Sequence, residues 1–189
     1  MSELFENTIT SKTIFQGKIL NLKKYKVKLP DDSESMREIV EHSGGVCILP
    51  VTDNDNKIIM VKQYRKAPEE ILLELPAGKL EPGEKPEKCA ERELLEETGY
   101  KVEEMEQLFS FYTTPGYSNE ILHLFQAKVF AYKEKNLDKD EFIEIEKISP
   151  DEIKNLIFQG KIKDSKTIIG LLYYLNEDFK EDKGDIKHE

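Results

Sequence analysis

The run GKLEPGEKPEKCAERELLEETGY, residues 78–100, decides how this chain reads. Residues 79–85, with Pro82-Gly83 among them, have the composition of a loop. Pro86 suits a first helical turn, where a missing N–H costs least. Gly99 stands where a helix C-terminus takes a left-handed residue. These two ends predict a helix over 86–98. On it, Glu93 and Glu97 are i and i+4 and share a face, and Glu96 is i+3 from Glu93. Like charges at these spacings repel. Solvated surface charge is the simplest account of such a run. Leu94 and Leu95 point away from the acids, however, which leaves the acids as a distinct ridge. A divalent cation relieves the repulsion, and Mg²⁺ in particular takes oxygen ligands and bridges carboxylates to substrate phosphates. Arg92 can brace a carboxylate with its planar fork.

Outward from the helix, residues 72–75 read as a short strand that runs into Pro76-Ala77-Gly78. Residues 46–51 and 57–64 form a strand pair around the polar turn Asp53-Asn54-Asp55-Asn56. Residues 8–42 read as short strands broken at Gln16-Gly17 and at Pro30-Asp31-Asp32, with a further break at Ser43-Gly44-Gly45. Beyond the helix, 107–113, 119–131 and 142–148 read as strands. Residues 151–158 form a helix ended by Gly160, and Asp164-Ser165 caps a last helix over 166–175. Strands on both sides of one central helix predict an α+β fold, a sandwich built on a mixed sheet.

Composition bounds the function. The chain has 189 residues, 28 basic and 38 acidic, for a net charge of −10. That balance argues against a generic nucleic-acid binder, which needs a basic surface. It leaves room for a phosphate-bearing small molecule, since a few local cations and a metal outweigh the net sign. The longest apolar run, 168–175, contains Gly170 and falls far short of the ~18 residues of a membrane span. The first six residues lack the basic-then-apolar layout of a signal peptide. Cys47 and Cys89 form no CxxC and read as small buried hydrophobes. Together these point to a cytoplasmic protein.

The spacing Gly78, Glu84, Arg92-Glu93-Leu94, Glu96-Glu97, Gly99 resembles the Nudix box, the signature of Nudix hydrolases. Tyr100 is the one soft departure, at a position that packs rather than reacts. The resemblance implies a Nudix-type α/β/α sandwich with a mixed sheet and an N-terminal antiparallel sheet extension. It also implies hydrolysis of a nucleoside diphosphate linked to another group, with Mg²⁺ or, in its place, Mn²⁺. By the same resemblance Glu93 and Glu97 are the principal metal ligands, assisted by Glu96, with the carbonyl of Ala77 as a further ligand. Glu84 and Arg92 hold the loop–helix–loop in shape, and Arg92 and Glu96 are counted with the catalytic set.

Three features outside the box narrow the substrate. Pro115, in Thr114-Pro115-Gly116-Tyr117-Ser118-Asn119-Glu120, resembles the marker of the ADP-ribose pyrophosphatase branch. The segments around Arg37 and around Gln63-Tyr64-Arg65 resemble substrate-contacting segments of that branch. Only three of the 28 basic residues are Arg, namely Arg37, Arg65 and Arg92. Arg differs most from Lys where a planar donor meets phosphate or carboxylate. The substrate-binding set is therefore Arg37, Arg65, Gln63, Tyr64, Pro115 and Glu120. Phe15 and Tyr64 are the candidates for stacking on a base. The branch takes its general base from an acidic loop, here 136–142, with Glu141 first and Asp140 and Asp138 behind it.

The resulting expectation is hydrolysis of ADP-ribose to AMP and ribose 5-phosphate. The alternatives are a hydrolase of another nucleoside diphosphate sugar such as GDP-mannose, and an ADP-ribose-binding domain without catalysis. Residues 1–44 are expected to be a dimerisation sheet of a homodimer, 45–176 the hydrolase domain and 177–189 a charged tail.

Overall fold

The computed structural model describes residues 4–132, 137 and 142–176. The first three strands, β1 (Asn7–Gln16), β2 (Leu20–Lys28) and β3 (Glu34–His42), form an antiparallel meander in that order. Its turns fall where the turn residues stand. The Gly17 N–H donates to the Leu20 carbonyl at 2.9 Å. Asp31 accepts from the Ser33 N–H at 3.0 Å, and Asp32 takes a positive φ of 66°, which short acidic side chains tolerate.

The second sheet has seven strands: β4 (Gly45–Thr52), β5 (Ile58–Arg65), β6 (Glu70–Glu74), β7 (Ala77–Lys79), β8 (Tyr100–Tyr112), β9 (Ile121–Ala131) and β10 (Ile143–Ile148). It is mixed, with the order β10-β5-β4-β9-β8. Three helices complete the chain: α1 (Pro86–Thr98), α2 (Pro150–Phe158) and α3 (Ser165–Leu175). Two compact units result, 1–44 with 111–122, and 45–110 with 123 onward. In the first unit, Val40 donates to the Tyr117 carbonyl at 2.7 Å and accepts from the Asn119 N–H at 3.3 Å.

Within the second unit the layers follow from strand alternation. Val46, Ile48, Ile59, Phe125, Ala127 and Val129 pack with Cys89, Ala90 and Leu94 of α1. Leu124, the neighbour of Phe125, faces the opposite side. There it meets α3, where a Cβ on Gly170 would lie 2.8 Å from Leu75 Cδ1 and 3.4 Å from Leu124 Cδ1. Helices on both faces make the α/β/α sandwich of an α+β fold. Cys47 and Cys89 are buried and free. No helix among the described residues is long and apolar enough to cross a membrane.

Strand β8 begins at Tyr100 rather than 107. It is the last strand in the sheet order, and after Tyr100 only Val102 and Met105 of its first half pack on the core. The polar residues between them hid the alternation. Strand β7 is three residues long and gave no periodicity to read. The remaining elements lie within about two residues of their expected bounds, the usual uncertainty of element ends.

Candidate active site

The sheet divides at the site. Strands β4 and β5 pair at Val51–Ile58. Farther along, β5 takes β6 as its partner, from Val61–Glu74 to Arg65–Glu70. Strand β4 takes β7, from Cys47–Ala77 to Gly45–Lys79. The two-residue link Leu75-Pro76 crosses from one neighbour to the other, and the Pro76 carbonyl accepts from the Ile48 N–H at 2.9 Å. Ala77 and Gly78 are thereby presented to α1.

The helix ends as its sequence requires. Pro86 occupies the first turn, and Gly99 takes φ 73° while its N–H donates to the Leu95 carbonyl at 2.9 Å. The fixed frame brings Glu93 onto Gly78. A Cβ at residue 78 would lie 1.8 Å from Glu93 Cδ and 2.1 Å from Oε1. No side chain larger than hydrogen leaves room for that carboxylate. Glu97 Oε2 accepts from the Ala77 N–H at 3.2 Å. Glu97 is only 4% exposed, which corrects the picture of a ridge set wholly apart from the packed side. It is three residues beyond the fully buried Leu94, so the two share the inward stripe. Glu96 is the most open of the three acids.

Arg92 ties the loop to the helix. Its Nε and Nη2 donate to the two oxygens of Glu84 at 2.9 and 3.0 Å, a bidentate pair. Glu84 Oε2 also accepts from the Glu81 N–H at 3.0 Å. The Arg92 fork thus holds the Glu84 carboxyl down at about 2. Arg92 Nη1 donates to Glu93 at 2.8 Å and to Glu96 at 3.1 Å. The bracing role expected of Glu84 and Arg92 matches this geometry. Tyr100 is buried in the core cluster and packs, as expected.

The donor set fits a divalent cation in kind: three carboxylates from one helix, and the Gly78 cradle that admits one of them to the loop. Among the described residues no three His, Cys, Asp or Glu side chains already converge as a metal cage. Glu93 and Glu96 turn to Arg92, and Glu97 turns to the Ala77 N–H. Ligation would require short rotations of these side chains.

Arg65, expected to grip substrate, forks onto Glu74 instead. Its Nε and Nη2 donate to the two Glu74 oxygens at 2.8 and 2.9 Å. Lys166 Nζ reaches Glu74 Oε2 at 2.5 Å and Asp164 Oδ2 at 2.9 Å. Burial alone would raise the Glu74 carboxyl, but Arg65 and Lys166 outweigh it and hold it below the usual range. The reading of Arg as a bidentate donor holds for Arg65 and Arg92, but both forks close on carboxylates of the chain itself. Glu74 and Lys166, which hold Arg65 in this network, were not singled out from the sequence. The signal was present: Glu74 is a lone acid in the apolar run Leu72-Leu73-Glu74-Leu75. On the same strand as Arg65, Gln63 is half-buried and Tyr64 is exposed.

The other expected substrate residues lie in the first unit. Arg37 Nη1 donates to Ser35 Oγ at 2.9 Å, and its Nη2 pairs with Glu6 at 2.5 Å. Phe15 is exposed on β1. Pro115 opens the turn in which Thr114 accepts from the Tyr117 and Ser118 N–H groups at 3.1 and 2.9 Å. Glu120 accepts from Thr113 Oγ1 at 2.7 Å and lies 3.2 Å from His42 Nδ1. Glu141, Asp140 and Asp138, the candidate bases, fall outside the described residues, as does the tail 177–189.

The NUDIX domain family model matches residues 41–169. The chain is 48% identical over 176 residues to the methanol dehydrogenase activator of Bacillus methanolicus, which covers 92% of this chain and 95% of that protein. It is 44% identical over 175 residues to the ADP-ribose pyrophosphatase of Bacillus subtilis (strain 168), with 92% and 94% covered. A solved structure described as an ADP compounds hydrolase superposes with a TM-score of 0.79 over 96% of this chain and 97% of that one. At 17% identity, that likeness is one of fold.

Proposed function

Because this chain belongs to the NUDIX domain family, we propose that it is a metal-dependent hydrolase that splits ADP-ribose into AMP and ribose 5-phosphate. The observation that carries the reading is the placement of Glu93 against Gly78 and of Glu97 against Ala77, with Glu96 beside them on Arg92. The 44% identity to an ADP-ribose pyrophosphatase over nearly the whole chain supports the substrate.

Glu93, Glu97 and the Ala77 carbonyl would hold the cation, with Glu96 assisting; Mg²⁺ is the ion proposed and Mn²⁺ its substitute. When bound, a divalent cation covers the charge of the diphosphate oxygens and makes water more acidic. Arg92 and Glu84 keep the helix and loop in register while the acids turn inward. A carboxylate of the acidic loop, Glu141 first and Asp140 next, accepts one proton from the attacking water. The water oxygen joins one phosphorus, and the bridging oxygen leaves with the other. Arg37, Gln63, Tyr64, Pro115 and Glu120 are proposed to bind substrate. Arg65 is proposed to do so only with the edge that Glu74 leaves open.

We place residues 1–44 as the dimerisation sheet of a homodimer. All ten residues of β1 are exposed, Ile9, Ile14 and Phe15 among them, and β1 is the outer strand of its sheet. Two free buried cysteines fit a reducing compartment, the cytoplasm.

A product assay tests the reading. ADP-ribose, GDP-mannose, NADH and a diadenosine polyphosphate are each incubated with Mg²⁺ and with EDTA, and the products separated. AMP is expected fastest from ADP-ribose, and only with metal. A faster rate on GDP-mannose would discard the substrate and keep the chemistry. The 48% identity to a methanol dehydrogenase activator favours a second role. Its test is the rate of a methanol dehydrogenase with and without this chain.

A further inference from the structure

We infer that Lys166, at the start of α3, is a positioning residue for the metal-bearing loop, acting through Glu74 and the backbone it carries. The inference rests on the proposed metal site, because it concerns what fixes the Ala77 carbonyl in place.

Consecutive residues entering that loop are each held by a separate bond. Glu74, buried, receives the Arg65 fork on one side and Lys166 Nζ at 2.5 Å on the other. The Leu75 N–H donates to Thr167 Oγ1 at 2.9 Å. The Pro76 carbonyl accepts from Ile48 at 2.9 Å. The Ala77 N–H donates to Glu97 at 3.2 Å. Two of these four ties come from one turn of α3. That turn is set by its own cap, in which Asp164 Oδ2 accepts from the Thr167 N–H at 3.0 Å, from Thr167 Oγ1 at 2.6 Å and from Lys166 at 2.9 Å.

A bulk structural role is a poor account of Lys166. Its side chain is 12% exposed, yet it ends on two carboxylates with side-chain exposures of 2% and 17%. Replaced as a whole by apolar residues of similar volume, a buried ion network of this kind is often no less stable, so stability alone does not account for it. What a charged, hydrogen-bonded lysine supplies is direction. It fixes the Glu74 side chain, and through it the strand end three residues before Ala77. Groups that orient a metal ligand typically contribute 10–100-fold to affinity or activity.

The test is Mn²⁺ binding to the full chain without substrate, followed by the paramagnetic resonance of the free ion. Glu97→Gln serves as the benchmark for loss of a ligand. Lys166→Met is expected to weaken Mn²⁺ binding roughly 10–100-fold. Under assay conditions its kcat for ADP-ribose is expected to fall more than its KM changes. Lys166→Arg is expected to restore most of the loss. Thr167→Val cuts the second tie from the same turn and is expected to weaken Mn²⁺ binding in the same direction. It keeps the question answerable if Lys166→Met fails to fold. Wild-type Mn²⁺ affinity in a folded Lys166→Met, or in Thr167→Val where Lys166→Met does not fold, overturns the inference. A chain that binds Mn²⁺ with this Lys166 dependence but leaves ADP-ribose intact would overturn the substrate reading and leave the inference standing.

Discussion

A methyl group added at residue 78 would lie 1.8 Å from Glu93 Cδ, so the carboxylate must leave. Gly78→Ala is therefore expected to cut turnover by about 100-fold, about 3 kcal/mol of lost charge stabilisation, with little change in melting temperature. Gly83→Ala is its control. Gly83 has φ +80° and nothing within 4 Å of its absent Cβ, so that change strains the backbone by roughly 1–2 kcal/mol and leaves the acids in place. Steady-state kinetics beside thermal melts separates the two, and a fully active Gly78→Ala would remove Glu93 from the site. At this scale the sequence was legible where a residue type has one use. Gly78, Arg92 and Gly99 announced themselves by identity and spacing. Arg65 announced its geometry but not its partner. A guanidinium reads alike whether it faces a phosphate or a buried Glu74, and only the fold distinguishes them.

Among the elements, α1 was legible to the residue because both its ends carry chemistry. Pro86 starts it and Gly99, at φ 73°, stops it. The start of β8 was not, because a strand at the end of a sheet needs few apolar residues to stay there. The loop before α1 depends on charge as well as shape. Glu84 titrates at about 2 in the folded protein against 4.5 ordinarily. A carboxyl with a depressed folded pKa stabilises fully above its unfolded value and loses that contribution as pH falls toward its folded value. Urea midpoints of the parent chain should therefore fall between about pH 4.5 and 2, and Glu84→Gln should show a shallower slope across the same window. Parallel curves would mean that the Arg92–Glu84 pair contributes nothing to folding.

For the molecule as a whole, the strands of residues 7–42 were legible because turn residues separate them. The grouping of 111–122 with them was not. It depends on hydrogen bonds between Val40 and residues 117–119, more than 70 positions away in sequence, and nothing local encodes it. Neither does anything local encode self-association, though an outer strand exposed along its whole length is a ready surface for it. Sedimentation velocity is expected to give twice the chain mass of 21.9 kDa at concentrations where the enzyme is active. A fully active monomer would sink the reading of residues 1–44 as a dimerisation sheet. The parting of β4 from β5 has its own consequence. The donors on α1 answer to the β4–β7 side of the gap, whereas Arg65 and Glu74 belong to the β5–β6 side. The site thus has two adjustable halves joined by two residues, Leu75 and Pro76. Redesign on the β5–β6 side, for a new leaving group, therefore reaches the ion-holding side through that link and has to keep the tie between Lys166 and Glu74.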